Sequence, residues 1–146
     1  MDIWSEKKRS EVMSRIRSED TKPERIVRRL LTEMGCRYRL NVKTFPGKPD
    51  IILKKYNAII FVHGCFWHLC PHCREGRIPA TRWEYWEEKL LNNKRRDQSN
   101  IRKLRRQGWK VLRLWECDVE KKPQKVTRIL QRFLSHFPKT SKHMSP

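Results

Sequence analysis

The sequence predicts a small α/β domain, a mixed sheet flanked by helices, and three observations predict it. Apolar residues recur at helical spacing in three segments. They alternate or run on for a few residues in four others. The two kinds of segment intersperse in the order helix, three strands, long helix, strand, helix, and 146 residues suffice for one domain with a true core.

The elements follow in order. Residues 2–20 are charged with sparse apolar positions, so they read as an arm or a marginal helix that orders on its partner. Thr21 then caps a helix, Glu24 completes a capping box, and Ile26, Val27, Leu30, Leu31 and Met34 form one face. Gly35 ends it. Tyr38, Leu40 and Val42 alternate as a half-buried strand, and 45–49 is a loop. Two apolar runs, 51–53 and 58–62, make a hairpin over the polar connection Lys54-Lys55-Tyr56-Asn57. A long helix starts near Thr81 and ends before Gly108, its inner face drawn from Trp83, Leu90, Leu91, Ile101 and Leu104. Residues 109–115 give a strand. Val126, Ile129, Leu130, Phe133 and Phe137 mark a last helix. The expected domain spans 21–138, with a disordered tail at 139–146.

Thirty-five Lys and Arg face sixteen Asp and Glu, a formal charge of +19. That balance points to a polyanion, nucleic acid first, against the bland alternative of a solubilising surface. Basic runs such as Lys94-Arg95-Arg96 are spread along the chain, so no detachable tail carries the charge. No apolar run approaches the roughly 18 residues of a membrane span, and no signal peptide is visible. The expected location is the cytosol, beside the nucleoid and away from membranes, where clustered cysteines read as metal ligands before disulfides.

The segment Val-His-Gly-Cys-Phe-Trp-His-Leu-Cys-Pro-His-Cys, 62–73, holds three cysteines and three histidines. Cys65, Cys70 and Cys73, with Cys117 returned by the last strand, suit a closed tetrahedral structural zinc site. His72 is an alternative fourth ligand, and the bland reading is cysteines that merely pack. Cys36 reads as a buried bystander.

Asp50 opens one hairpin strand and His63 closes the next. A carboxylate and a main-chain carbonyl are hard oxygen ligands of the kind Mg²⁺ prefers. His63 and His68 are candidates for the base and leaving-group roles that phosphodiester hydrolysis needs. The bland readings are a turn carboxylate at Asp50, a zinc ligand at His68 and a core histidine at His63. Glu24 is ambiguous, since capping suffices to explain it yet its helix could present it to the same site, and the bland reading of Asp97 is helix ion pairs.

The blocks Phe45-Pro46-Gly47-Lys48-Pro49-Asp50, His63-Gly64-Cys65-Phe66-Trp67-His68, Pro79-Ala80-Thr81-Arg82 and Trp115-Glu116-Cys117 together resemble the very short patch repair (Vsr) DNA mismatch endonucleases. The resemblance covers nearly the whole chain. It implies a restriction-endonuclease-like core and a Mg²⁺-dependent nick in one strand, 5′ to the thymine of a T·G mismatch in double-stranded DNA. Such mismatches arise when 5-methylcytosine deaminates. It makes Asp50 and the Val62 main-chain carbonyl the Mg²⁺ ligands. It has His68 act on the attacking water, His63 assist at the phosphate held by Glu24, and Asp97 support the metal's waters. Phe66 and Trp67 match aromatics wedged beside the mismatch, and Met13 matches a wedge from the other groove. Trp86 is a further DNA-facing candidate, as are Lys94 and Arg95 at phosphates. A monomer is expected, with mismatch-repair proteins as further partners. The chain departs from the family at Val62, often threonine there, and across 69–77, where Cys70 stands for a histidine.

Overall fold

The computed structural model describes residues 20–135. Met13, Phe137, nearly all of the N-terminal arm and the C-terminal tail lie outside the described residues.

Helix α1 spans Lys22–Glu33. Thr21 caps it, its hydroxyl accepting the Glu24 N–H at 3.4 Å. The reciprocal bond is shifted one residue from the expected capping box: Glu24 Oε1 accepts from the N–H of Asp20 at 3.0 Å. Strand β1 is only Arg39–Leu40, shorter than the expected 38–42 alternation. Asn41 takes the left-handed region at φ 48°, which breaks the extended run, while Tyr38 and Val42 still pack against the core and Leu40 stays 40% exposed. Strands β2 (Ile51–Leu53) and β3 (Ala58–His63) form the expected hairpin. Its connection is a 3₁₀ turn, Lys54–Tyr56, closed by Asn57 in the left-handed region at φ 55°.

Helix α2 (Trp83–Arg106) crosses from β3 to β4 (Lys110–Trp115), so β3 and β4 pair in parallel. The sheet order is β1-β2-β3-β4, antiparallel except for the last pair. Helix α3, Glu116–Lys121, follows β4 directly. The sequence reading missed it, because six residues are too few to establish a period. Helix α4 is Pro123–Ser135, with proline at its first position, where no intrahelical N–H is lost.

Alternation along β3 divides the core in two. Ala58, Ile60 and Val62 join Val27, Leu31, Val119, Val126 and Leu130 on the side of α1, α3 and α4. Ile59 and Phe61 join Ile52, Val111, Ile101 and Leu104 on the α2 side. Fully burying each such leucine stabilises the fold by about 1.5–3 kcal/mol. Trp83 departs from expectation: it shares the inner stripe of α2 but is 44% exposed, so that stripe is covered only further along, at Leu90.

The topology gathers the sequence-predicted residues at one end of the sheet. Because Ile51 pairs with Ile60, the start of β2 lies beside the end of β3. Because His63 pairs with Trp115, β3 and β4 end together. Asp50, Val62, His63 and Cys117 therefore share that edge.

Candidate active site and metal centre

Asp50 sits at the bend before β2, with its main-chain carbonyl held by the N–H of Asn41 at 3.1 Å. Its Oδ2 accepts the N–H of Val62 at 2.6 Å. In an extended strand the N–H and C=O of one residue face the same edge, so the Val62 carbonyl faces the Asp50 side as well. Glu24, 3% exposed, hydrogen-bonds to Asp50. Burial pushes the Glu24 carboxyl above its ordinary value, against the hydrogen bond it accepts from the Asp20 N–H and its hydrogen bonds with Asp50 and Thr21. Two carboxyls thus adjoin at the α1 end, in a protein with few acids. They offer a hard divalent cation what it needs, oxygen donors and net negative charge.

The histidines lie on the α2 side. His63 is 5% exposed, and its ring stacks on His68, centroids 3.9 Å apart and planes within 5°. Arg113 donates from Nε to His63 Nδ1 at 3.4 Å. Burial, then the His68 and Arg113 charges, hold His63 well below the ordinary histidine range, so it is neutral. Asp97, from α2, binds His68 Nδ1 through Oδ2 at 2.6 Å. The sequence left open that His68 ligates the thiol-bound metal and that Asp97 serves only helix ion pairs; here the two bind each other. Glu24 lies with Asp50, and the contact on His63 Nδ1 comes from Arg113, which the sequence reading missed. The available signal was a lone arginine inside the apolar run Val111–Leu114.

The four sulfurs of Cys65, Cys70, Cys73 and Cys117 lie within 4.8 Å of one another. The Cys70 and Cys117 sulfurs are 3.8 Å apart. Four sulfurs about 2.3 Å from a tetrahedral ion stand about 3.8 Å from each other, so the cluster has the right size. Burial pushes the Cys117 thiol up to about 11 and Cys65 higher still. Cys65 and Cys117 thus resist becoming thiolates unless a cation takes up the charge, while at Cys73 burial is outweighed by hydrogen bonds from Cys65 and Cys70, which lower it. His72 is exposed. Its Nε2 lies 3.1 Å from Asp118 Oδ2 and 3.5 Å from Cys117 Sγ, beside the sulfur cluster and outside it. Cys36 is half-buried and hydrogen-bonds Tyr56.

Backbone geometry locks this loop. Cys70 N–H bonds the Cys65 carbonyl at 3.0 Å, and Leu69 takes the left-handed region at φ 55°. A Cβ on Gly76 would lie 1.9 Å from the Cys70 carbonyl oxygen. Gly76→Ala is therefore expected to displace Cys70, destabilise the fold and weaken metal retention, read as a lower Tm together with metal content. A wild-type Tm with full metal content would contradict the packing.

Phe66 and Trp67 project from the same loop. Their rings meet edge to face at 5.2 Å, and Trp86 of α2 closes the cluster at 5.3 and 6.1 Å. Asn93 anchors the segment by bonding the Trp67 carbonyl at 3.2 Å. All three aromatics are half-buried against one another. Tyr85, which the sequence reading passed over, is 48% exposed with Arg82 4.8 Å from its ring centre. Lys94 and Arg95 are exposed on α2. Among the described residues no helix is long and apolar enough to cross a membrane.

A family model described as DNA mismatch endonuclease Vsr matches residues 1–75. The chain is 46% identical to the type II nicking enzyme V.NmeAIP of Neisseria meningitidis over 121 residues, 83% of this chain and 86% of that protein. It is 42% identical to the type II nicking enzyme V.XorIIP of Xanthomonas oryzae, over 81% of this chain and 86% of that one. Against the DNA mismatch endonuclease Vsr of Escherichia coli it is 41% identical over 116 residues, 80% of this chain and 74% of that protein. Family model, relatives and the shared edge of carboxylates, histidines and cysteines agree, and the chain belongs to the Vsr family of DNA mismatch endonucleases.

Proposed function

We propose that this protein nicks one strand of duplex DNA, 5′ to the thymine of a T·G mismatch, with Mg²⁺ at Asp50 and a structural zinc on the four cysteines. One observation carries the reading. The loop pinned by the cysteine cluster bears both Phe66-Trp67 and His68, and His68 stacks on the strand residue beside the Asp50 edge. Mismatch sensing and hydrolysis therefore share one rigid piece.

Asp50 and the Val62 carbonyl are the proposed Mg²⁺ donors, with Glu24 adding negative charge beside them. Mg²⁺ held there supplies charge stabilisation at the phosphate. His68, oriented by Asp97, takes a proton from the attacking water, and His63 donates a hydrogen bond at the phosphate. Zinc would fix the loop without touching DNA. The core is proposed to be of the restriction-endonuclease type, with its carboxylate where a strand begins. One set of site residues per chain suits a monomer and a single cut. The 1–20 arm, through Met13, is proposed to reach the DNA from the opposite groove. The cytosol and contact with mismatch-repair proteins complete the reading.

Wedging apolar side chains costs a few kcal/mol of unstacking, least at a mismatch. Phe66→Ala and Trp67→Ala are expected to cut the preference for T·G over paired DNA by about tenfold, roughly 1.4 kcal/mol, with nicking retained. Competition cleavage measures it, and unchanged discrimination sinks the wedge.

A covalently closed plasmid carrying one T·G pair tests the function. Conversion to nicked circles supports it. Linear product from fully paired plasmid would indicate restriction-type cutting. Closed circles in every case, with binding retained, would leave a zinc-stabilised DNA-binding module.

A further inference from the structure

We propose that Arg113 is a positioning residue that fixes the proton of His63 on Nε2, making His63 a hydrogen-bond donor at the scissile phosphate and leaving His68 as the sole base. The inference rests on the nicking reading above for its substrate, and on geometry for the rest.

A guanidinium has five N–H groups and no acceptor. The Arg113 Nε bond therefore requires a lone pair on His63 Nδ1, and the proton of the neutral ring must sit on Nε2. The opposite holds next door. An ionised carboxylate only accepts, so Asp97 Oδ2 requires a proton on His68 Nδ1, and in the neutral ring the lone pair is then on Nε2. Two parallel rings 3.9 Å apart thus carry complementary faces, one donating and one accepting.

The fold fixes the arrangement. Phe61 pairs with Arg113 and His63 with Trp115 in the parallel ladder, so residues two apart on each strand share a face. The Arg113 guanidinium lies 4.8 Å from the Trp115 ring centre, and Trp115 meets His63 edge to face at 5.6 Å. The arginine is half-buried between them. A cation stacked in this way is a fixed donor rather than a mobile surface charge.

The test is nitrogen NMR of the full-length protein labelled at histidine, read above the histidine titration range. The expected spectrum has His63 protonated at Nε2 and His68 at Nδ1. A proton on His63 Nδ1 overturns the proposal without any variant. Arg113→Met is expected to lower kcat for nicking on the order of 10- to 100-fold, as loss of an orienting partner does. KM for the mismatched duplex should stay within about twofold, and Arg113→Lys should recover part of the loss. Unchanged kcat, or a rise in KM alone, also overturns it. If wild-type protein fails to nick T·G duplexes while the tautomers are as stated, the substrate reading falls and the tautomer assignment stands.

Discussion

Asp50→Ala is expected to abolish nicking, by about 10³-fold or more, while binding of mismatched duplex persists. Losing a metal-binding carboxylate removes several kcal/mol of charge stabilisation at the phosphate, and each 1.36 kcal/mol is tenfold. The competing view is a turn carboxylate whose only work is to accept the Val62 N–H. Asp50→Asn separates the two. The amide oxygen still accepts that N–H, but the charge is gone. A metal role leaves the asparagine variant as inactive as alanine, whereas a turn role restores activity. Single-turnover cleavage and a gel-shift titration on one duplex decide it, and an active Asp50→Asn protein contradicts the metal assignment.

The second large effect is at the cysteines. Cys65 is 2% exposed, and its sulfur also accepts the Cys117 N–H at 3.4 Å. Cys65→Ser is expected to lose the zinc proposed on this cluster and lower Tm on the order of 10 °C or more. Structural zinc sites contribute folding energy outright, and each kcal/mol moves a domain of this size by several degrees. Nicking falls with it, because His68, Phe66 and Trp67 are held by the same loop. Chelation of the wild type should give the same phenotype. Wild-type protein without zinc, or an unchanged Tm in the variant, would show that these sulfurs merely pack.

The sequence made the helices and the β2–β3 hairpin legible because their periods are long or their turn is distinctive. It overreached at β1, where alternation over five residues yields two residues of ladder, since Asn41 takes the left-handed region at φ 48° and breaks the extended run. It missed α3, which is shorter than any period it could display. In the site, the grouping of the four cysteines could be read from spacing, and the approach of Cys117 follows from β4 running parallel to β3. Partner choice could not be read. That Asp97 meets His68, that Glu24 turns to Asp50 and that Arg113 meets His63 are facts of rotamer and register between distant segments. The exposure of Trp83 is of the same kind, because periodicity shows that a stripe exists and not how far the core extends along it.

The most direct measurement is cleavage-site mapping on a duplex with one T·G pair, each strand end-labelled in turn, with and without Mg²⁺. T·A and C·G duplexes serve as controls. The account predicts one Mg²⁺-dependent break, immediately 5′ of the mismatched thymine, and intact controls. Breaks in both strands of paired DNA, or a break that survives removal of Mg²⁺, would contradict it.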